Sequence, residues 1–247
     1  MRNIFFVDAA VGLEVLRWIA SNHADHVGLV VCTAQNDIHA FCLAERLPVT
    51  TMSEWTAQTE NGLKVAGEFD FGFLIWWPSI VKESVLATAK SGFFNTHPSL
   101  LPHGRGKHPN FWAIVEETPF GVSIHQVTPG IDDGAVVGQR ELPVTWEDTG
   151  ETLYQRGLGA MIELFPNVYQ SIVAGEHQLI EQEAGVGSFH LSKQLEPASR
   201  FDINAQYRAR DLLNLIRART FAPHPATSFV DNGSTYEVRI SIKRRGS

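Results

Sequence analysis

Over the first 140 residues the chain alternates short apolar runs with amphipathic stretches, the pattern of a mostly parallel sheet covered by helices. Asn3–Val7 is an aromatic-rich run that predicts a first strand, and Val11, Val15, Leu16, Trp18 and Ile19 follow at helical spacing. Residues 27–33 predict a second strand, after which Asn36 or Asp37 can cap a helix carrying Ile38, Phe41 and Leu43. Residues 69–75 read as a third strand with a helix over 79–89 behind it, and 92–96 as a fourth. Pro109 suits the first turn of a helix reaching Glu117. Residues 121–127 and 135–141 read as two strands joined by Thr128-Pro129-Gly130-Ile131-Asp132-Asp133-Gly134. Asp148 with Glu151 three residues on is a capping-box pattern, opening a helix to about Val173.

After Gly175 the character changes. Residues 176–203 are polar and irregular, and helical spacing returns over about 205–219 through Leu212, Leu213, Leu215 and Ile216. The Asp231-Asn232-Gly233 turn between alternating runs predicts a hairpin over about 226–242. The expected organisation is one α/β domain over 1–180 and a small helix-plus-hairpin appendage over 181–247.

Composition then removes several classes of function. With 44% hydrophobic and 19% charged residues in 247, the chain can bury a sizeable core and is not a disordered polymer. No apolar run reaches 18 residues, and the hydrophobic start meets Asp8, Glu14 and Arg17, so neither a membrane span nor a signal peptide is expected. Cys32 and Cys42 give no disulfide framework and read as core residues, which suits the cytoplasm. A net charge of −7 argues against a broad nucleic-acid groove, and the basic run Lys243-Arg244-Arg245 reads as a solvated tail. The first strand-to-helix turn, Val7 to Gly12, holds a single glycine where a dinucleotide fold needs several, and there is no P-loop.

Residues 92–134 carry the chemistry. Asn95 and His97 stand two apart at the carboxyl end of a predicted strand, so in extended backbone they face the same way. An open α/β sheet places ligands at such strand ends. An amide donor beside an imidazole suits acyl transfer, because Asn95 can donate to a carbonyl oxygen becoming an oxyanion and His97 can take the proton of an attacking amine. A carboxylate is wanted beside them, and the turn carrying Asp132 can supply it. No nucleophile motif is present, which favours direct attack by a substrate amine. Arg105, Lys107 and Asn110 lie in a Gly-rich loop before a helix, a setting that suits a pyrophosphate or sugar hydroxyl. His97, His103, His108 and His125 lack the spacing of a zinc site.

The string Asn-x-His-x-Ser-Leu-Leu-Pro over 95–102, then Arg105-Gly106, then Gly130-Ile131-Asp132-Asp133-Gly134, resembles the folate-dependent formyltransferases. That resemblance covers about 70–175 specifically and implies a Rossmann-like sheet with helices on both faces. It makes Asn95, His97 and Asp132 the catalytic residues, and its loop pattern selects Asp132 over Asp133. It also implies 10-formyltetrahydrofolate as donor, no metal, and a pterin pocket bordered by Trp76, Trp77, Ile80, Val127, Gly130 and Ile131. Within the family, residues 101–112 are most similar to sugar-nucleotide N-formyltransferases, which points to His103, Gly104, Arg105, Gly106, Lys107 and Asn110 as acceptor-binding residues. The implied acceptor is a nucleotide-linked amino-deoxysugar such as dTDP-4-amino-4,6-dideoxyglucose, made for lipopolysaccharide O-antigen or another surface glycan. The terminal hairpin, with Tyr236 as packing surface, is expected to make a homodimer. Glycinamide ribonucleotide or methionyl-tRNA as acceptor, and a non-catalytic folate or nucleotide sensor, are the competing readings.

Overall fold

The computed structural model describes residues 1–60 and 67–246. Along the chain lie β1 (Asn3–Val7), α1 (Ala9–His23), β2 (Val27–Cys32), α2 (Asp37–Ala44), β3 (Val49–Thr51), α3 (Met52–Glu60), β4 (Gly72–Ile75), α4 (Glu83–Leu86) and β5 (Phe93–His97). Then come β6 (Arg105–Gly106), α5 (Pro109–Val115), β7 (Phe120–Gln126), β8 (Val136–Leu142), α6 (Gly150–Ala174), β9 (Phe189–His190), α7 (Leu195–Ala198), α8 (Ala209–Ala218), β10 (Thr227–Asp231) and β11 (Ser234–Val238). The chain divides into two compact units. The first holds Met1–His97, Ile124–Gly138 and Met161–Glu181; the second holds Pro98–Ser123, Gln139–Ala160 and the chain from Gln182 onward.

A seven-stranded sheet runs in the order β3-β2-β1-β4-β5-β7-β8. Strands β3, β2, β1, β4 and β5 pair in parallel. The end of β7 returns against the start of β5, where the Val127 amide donates to the Phe93 carbonyl at 2.8 Å. Every residue of β1 is buried, which explains why it reads as an unbroken apolar run rather than an alternating one. Phe5, Phe73 and Phe94 are in register across three strands and stack on one face, where Phe165 and Tyr169 of α6 cover them and are themselves met by Trp18 of α1. On the other face Ile4, Phe6, Leu74 and Phe93 pack with Trp55 of α3 and Val85 of α4. Each such ring contributes roughly 1.5–3 kcal/mol by leaving water. The sheet is therefore stiff on both sides of the strand that carries Asn95 and His97.

Several expectations are corrected here. The third strand begins at Gly72 rather than 69, because Phe69 makes only an isolated bridge to Ala89 and turns its ring into the core. The helix expected over 79–89 is reduced to Glu83–Leu86, since Ile80 is 84% exposed and has no apolar surface to meet. Strand β3 and helix α3 were not legible from a three-residue Val-Thr-Thr segment. The Asp148–Glu151 capping box does not form. Asp148 instead accepts from the Thr145 amide and hydroxyl and pairs with Arg156, while Thr149 and Thr152 exchange hydrogen bonds at the helix start.

In the second unit α5 buries Phe111, Trp112 and Ile114 against Phe120, Leu153 and Ala218. Pro109 occupies the first turn of α5, as expected. Helix α8 starts at Ala209, later than 205, because Asp202 and Tyr207 tie the preceding residues into local turns. Strand β11 stops at Val238, short of 242, where the Ile240 amide is drawn to the Thr220 hydroxyl. The hairpin turn has positive φ at both Asn232 (46°) and Gly233 (75°), the primed turn that Asn-Gly favours. The stretch 176–203, expected to be irregular, supplies β9, which pairs in parallel with β6.

Candidate active site

Asn95 and His97 sit on β5 and share a face with Phe93. Asn95 pairs in register with Leu74 of β4, so strands on both sides fix its position. Asp132 comes from the loop between β7 and β8. That loop is closed at its base by the Gln126 amide donating to the Ala135 carbonyl at 2.8 Å. It is cinched by a short hydrogen bond from the Thr128 hydroxyl to Asp133. A Cβ on Gly134 would lie 2.0 Å from the Gln126 carbonyl oxygen, so glycine is required there. Asp132 itself has φ 52°, a left-handed conformation that Asp and Asn tolerate better than most residues.

These three side chains converge. The Asn95 Nδ2 amide donates to Asp132 Oδ1 at 3.4 Å, and His97 Nδ1 lies 3.5 Å from Asp132 Oδ2. His97 is 5% exposed, and the Asp132 side chain 13%. With Nδ1 turned to the carboxylate, proton transfer falls to His97 Nε2.

A fourth group joins them that sequence reading missed as a site residue. His125 of β7 is 2% exposed, with Nε2 3.2 Å from Asn95 Nδ2 and 3.4 Å from Asp132 Oδ1. Its Nδ1 donates to the Gln126 carbonyl at 2.7 Å. In the neutral ring Nε2 is then an acceptor, and it takes the Asn95 amide hydrogen. That contact sets which end of the carboxamide points away from His125. A signal was available: a histidine after the apolar Ile124 in a buried strand must find polar partners.

The other expected residues are placed as follows. Trp77 packs edge-on to Phe6 at 5.3 Å, and Val127 joins the same core cluster. Trp76 has φ 53°, and its amide donates to the Thr96 hydroxyl at 2.9 Å. Gly130 and Ile131 are exposed at the loop tip, whereas Ile80 stands out in solvent, away from the packed cluster. In the second unit the Gly104 amide donates to the Ser188 hydroxyl at 3.0 Å, and Arg105 and Gly106 form β6. His103 is half-buried and Lys107 exposed. Asn110 spends its side-chain donor on the Gly150 carbonyl at 2.8 Å, tying α5 to the start of α6. Neighbouring His108 caps α5 with φ 60°, and burial, helped by the charges of Arg219, Lys107 and His224, lowers its pKa. Among the described residues no group of three His, Cys, Asp or Glu is arranged to hold a metal, and no helix is long and apolar enough to cross a membrane.

An amide, an imidazole and a carboxylate are thus gathered at the carboxyl end of a parallel strand, a set of groups suited to group transfer. Residues 14–169 match the family described as formyl transferase, and residues 194–244 match the N-formyltransferase dimerization C-terminal domain. The chain belongs to the formyl transferase family. Its fold is similar to that of a 4-N formyltransferase from Francisella tularensis, with TM-score 0.84, 20% identity and 98% of each chain covered. A sugar N-formyltransferase from a Shewanella species gives TM-score 0.79 at 20% identity, covering 99% of this chain and 98% of that one. An N-formyltransferase from Helicobacter canadensis, solved with folinic acid and dTDP-3-aminofucose, gives 0.71 at 22% identity over 94% of this chain and 84% of its own.

Proposed function

We propose that this protein moves a formyl group from 10-formyltetrahydrofolate to the amine of a nucleotide-linked amino-deoxysugar, with dTDP-4-amino-4,6-dideoxyglucose the best single candidate. The observation that carries the reading is the meeting of Asn95, His97 and Asp132 in one largely buried site. Solved relatives that bind folates and nucleotide sugars support it. The neutral sugar amine attacks the formyl carbon, and a new C–N bond forms. The oxygen that becomes negative is met by an Asn95 amide hydrogen that leaves its long 3.4 Å contact with Asp132 while His125 keeps the other, a kind of donor worth about 10²–10³ in rate. His97 Nε2 takes the amine proton, typically worth about 10²–10⁴. Asp132 balances the imidazolium charge until the bond to the folate nitrogen breaks and a proton returns to that nitrogen.

Trp76, Trp77, Val127, Gly130 and Ile131 are the proposed folate contacts; the exposure of Ile80 makes it the weakest member of that set. His103, Gly104, Arg105, Gly106 and Lys107 are the proposed acceptor contacts, with Asn110 acting through the helix start that it anchors. The catalytic region is proposed as 1–180 and the appendage as 181–247. The dimerization match and the exposure of Val230 and Tyr236 support a homodimer through the hairpin, in a cytoplasmic enzyme serving surface-glycan synthesis. A monomeric mass by light scattering would overturn the dimer.

The deciding experiment incubates the protein and 10-formyltetrahydrofolate with dTDP-, UDP- and GDP-amino sugars, glycinamide ribonucleotide and methionyl-tRNA, then weighs the products. The proposal expects a formyl mass gain on a nucleotide sugar. Preferential formylation of either other amine, or of none, refutes it.

A further inference from the structure

Arg105 and Phe189 are register partners in the parallel β6–β9 ribbon, and the Phe189 ring edge lies 3.2 Å from where a Cβ on Gly106, the residue after Arg105, would stand. The ribbon is built tightly. The Arg105 amide donates to the Ser188 carbonyl at 3.0 Å and the Lys107 amide to the His190 carbonyl at 2.9 Å. Gly106 has φ 89°, and a Cβ on it would sit 2.2 Å from the His190 carbonyl oxygen. Gly187, also at φ 89°, passes so close to Pro102 that a Cβ would sit 2.0 Å from that carbonyl oxygen. One residue beyond Phe189, the His190 ring lies flat on Trp112 at 3.7 Å and 8°, and its Nε2 is 2.8 Å from Glu116. Phe189 is therefore held by rigid neighbours on both sides, yet it is 41% exposed and no aromatic ring among the described residues stacks on it. Beside it, Arg105 has a buried Nε with no hydrogen-bond partner among the described residues. A buried donor on a permanent cation, left unmade, is costly unless an anion takes it.

We infer that this ribbon is the nucleotide-reading subsite of the acceptor: Phe189 is the platform on which the base stacks, and Arg105 holds the diphosphate. The inference rests on the nucleotide-sugar reading above and deepens it. A flat ring offered to solvent beside a guanidinium matches the two chemically different ends of a nucleoside diphosphate, a π-face and a dianion. Exposed Lys107 adds charge next to Arg105 on the same loop. The ring reads any base by its face, so the platform supplies affinity for nucleotides as a class.

The test measures binding of dTDP and of inorganic pyrophosphate to the full chain by calorimetry, in wild type, Phe189→Leu, Phe189→Trp and Arg105→Ala. Base stacking on an aromatic side chain is typically worth a factor of about 5–150 in affinity. Phe189→Leu is expected to weaken dTDP by a factor in that range, raise KM for the nucleotide sugar equally, and leave pyrophosphate binding alone. Phe189→Trp restores affinity, and the new indole fluorescence is quenched as dTDP binds. Arg105→Ala weakens both probes. Unaltered dTDP affinity in Phe189→Leu, or a loss of dimer mass in that variant with nucleotide binding intact, overturns the platform while leaving the acceptor reading standing. If the wild-type protein binds no nucleoside diphosphate yet formylates another amine, the acceptor reading fails and the platform falls with it. Thermal melts confirm that each variant is folded.

Discussion

Asp132→Asn isolates the part played by charge in the proposed transfer. Asparagine is the clean replacement because residue 132 has φ 52°, a conformation it tolerates while alanine adds backbone strain. The shape of the site is kept and the negative charge is removed. In wild type that charge lies 3.5 Å from His97 Nδ1. At an effective dielectric of about 20, unit charges at that separation attract by roughly 5 kcal/mol, equivalent to about 3 × 10³ in rate. The imidazolium is only partly formed in the transition state, and half of its charge still corresponds to about 50-fold. A fall in kcat of about 10²–10³ is therefore expected. KM for folate and for the acceptor should change little, because the charge is needed only once the proton has moved. The assay is steady-state formyl transfer, with thermal melts confirming the fold. A loss below tenfold, or one confined to KM, would refute the idea that Asp132 acts through charge on His97.

Two further outcomes follow from buried polar groups. Tyr169 Oη accepts from Asn3 Nδ2 at 3.1 Å and donates to His26 Nδ1 at 3.0 Å, deep beside the sheet. Tyr169→Phe strands the fully buried Asn3 amide, at a cost of about 1–3 kcal/mol, or a drop in Tm of roughly 2–12 °C for a chain of this size. An unchanged melting temperature contradicts that accounting. Acid should destabilise the fold in two stages. Burial lowers the His26 pKa below its ordinary 6.5, and burial with nearby charges does the same for His108. Their contribution is complete above about pH 6.5 and is lost as pH falls through the lowered values. Asp148 titrates later. Burial alone would raise its pKa, but the Thr145 amide and Arg156 outweigh it and hold it below the ordinary 3.8. Its share is present above that value and disappears at still lower pH. A Tm that rises between pH 7 and 5 would contradict the loss expected from His26 and His108.

What the sequence disclosed was local. The buried run Ile4–Val7, the Asn36 cap, Pro109 at a first turn and the Asn232-Gly233 hairpin each announce themselves through neighbours in the chain, and each is found. Asn95 and His97 were readable because a strand puts alternate residues on one face. Asp132 could be chosen over Asp133 only through a family pattern, since both occupy one turn. His125 depended on distance rather than order: its partners lie 30 residues back and 7 ahead. The two-residue pairing of β6 with β9 carries no periodicity, and α4 shrank because packing rather than spacing decided its length.

The loop that presents Asp132 behaves as a ruler. Its ends are fastened by Gln126 and Ala135, its waist is drawn in by Thr128 and Asp133, and the adjoining glycine leaves no room for slack. Two acids stand side by side within it: Asp133 rivets the loop to Thr128, and Asp132 faces His97. Inserting or deleting a single residue before Asp132 would carry that acid off His97, so the loop's length fixes where its carboxylate stands.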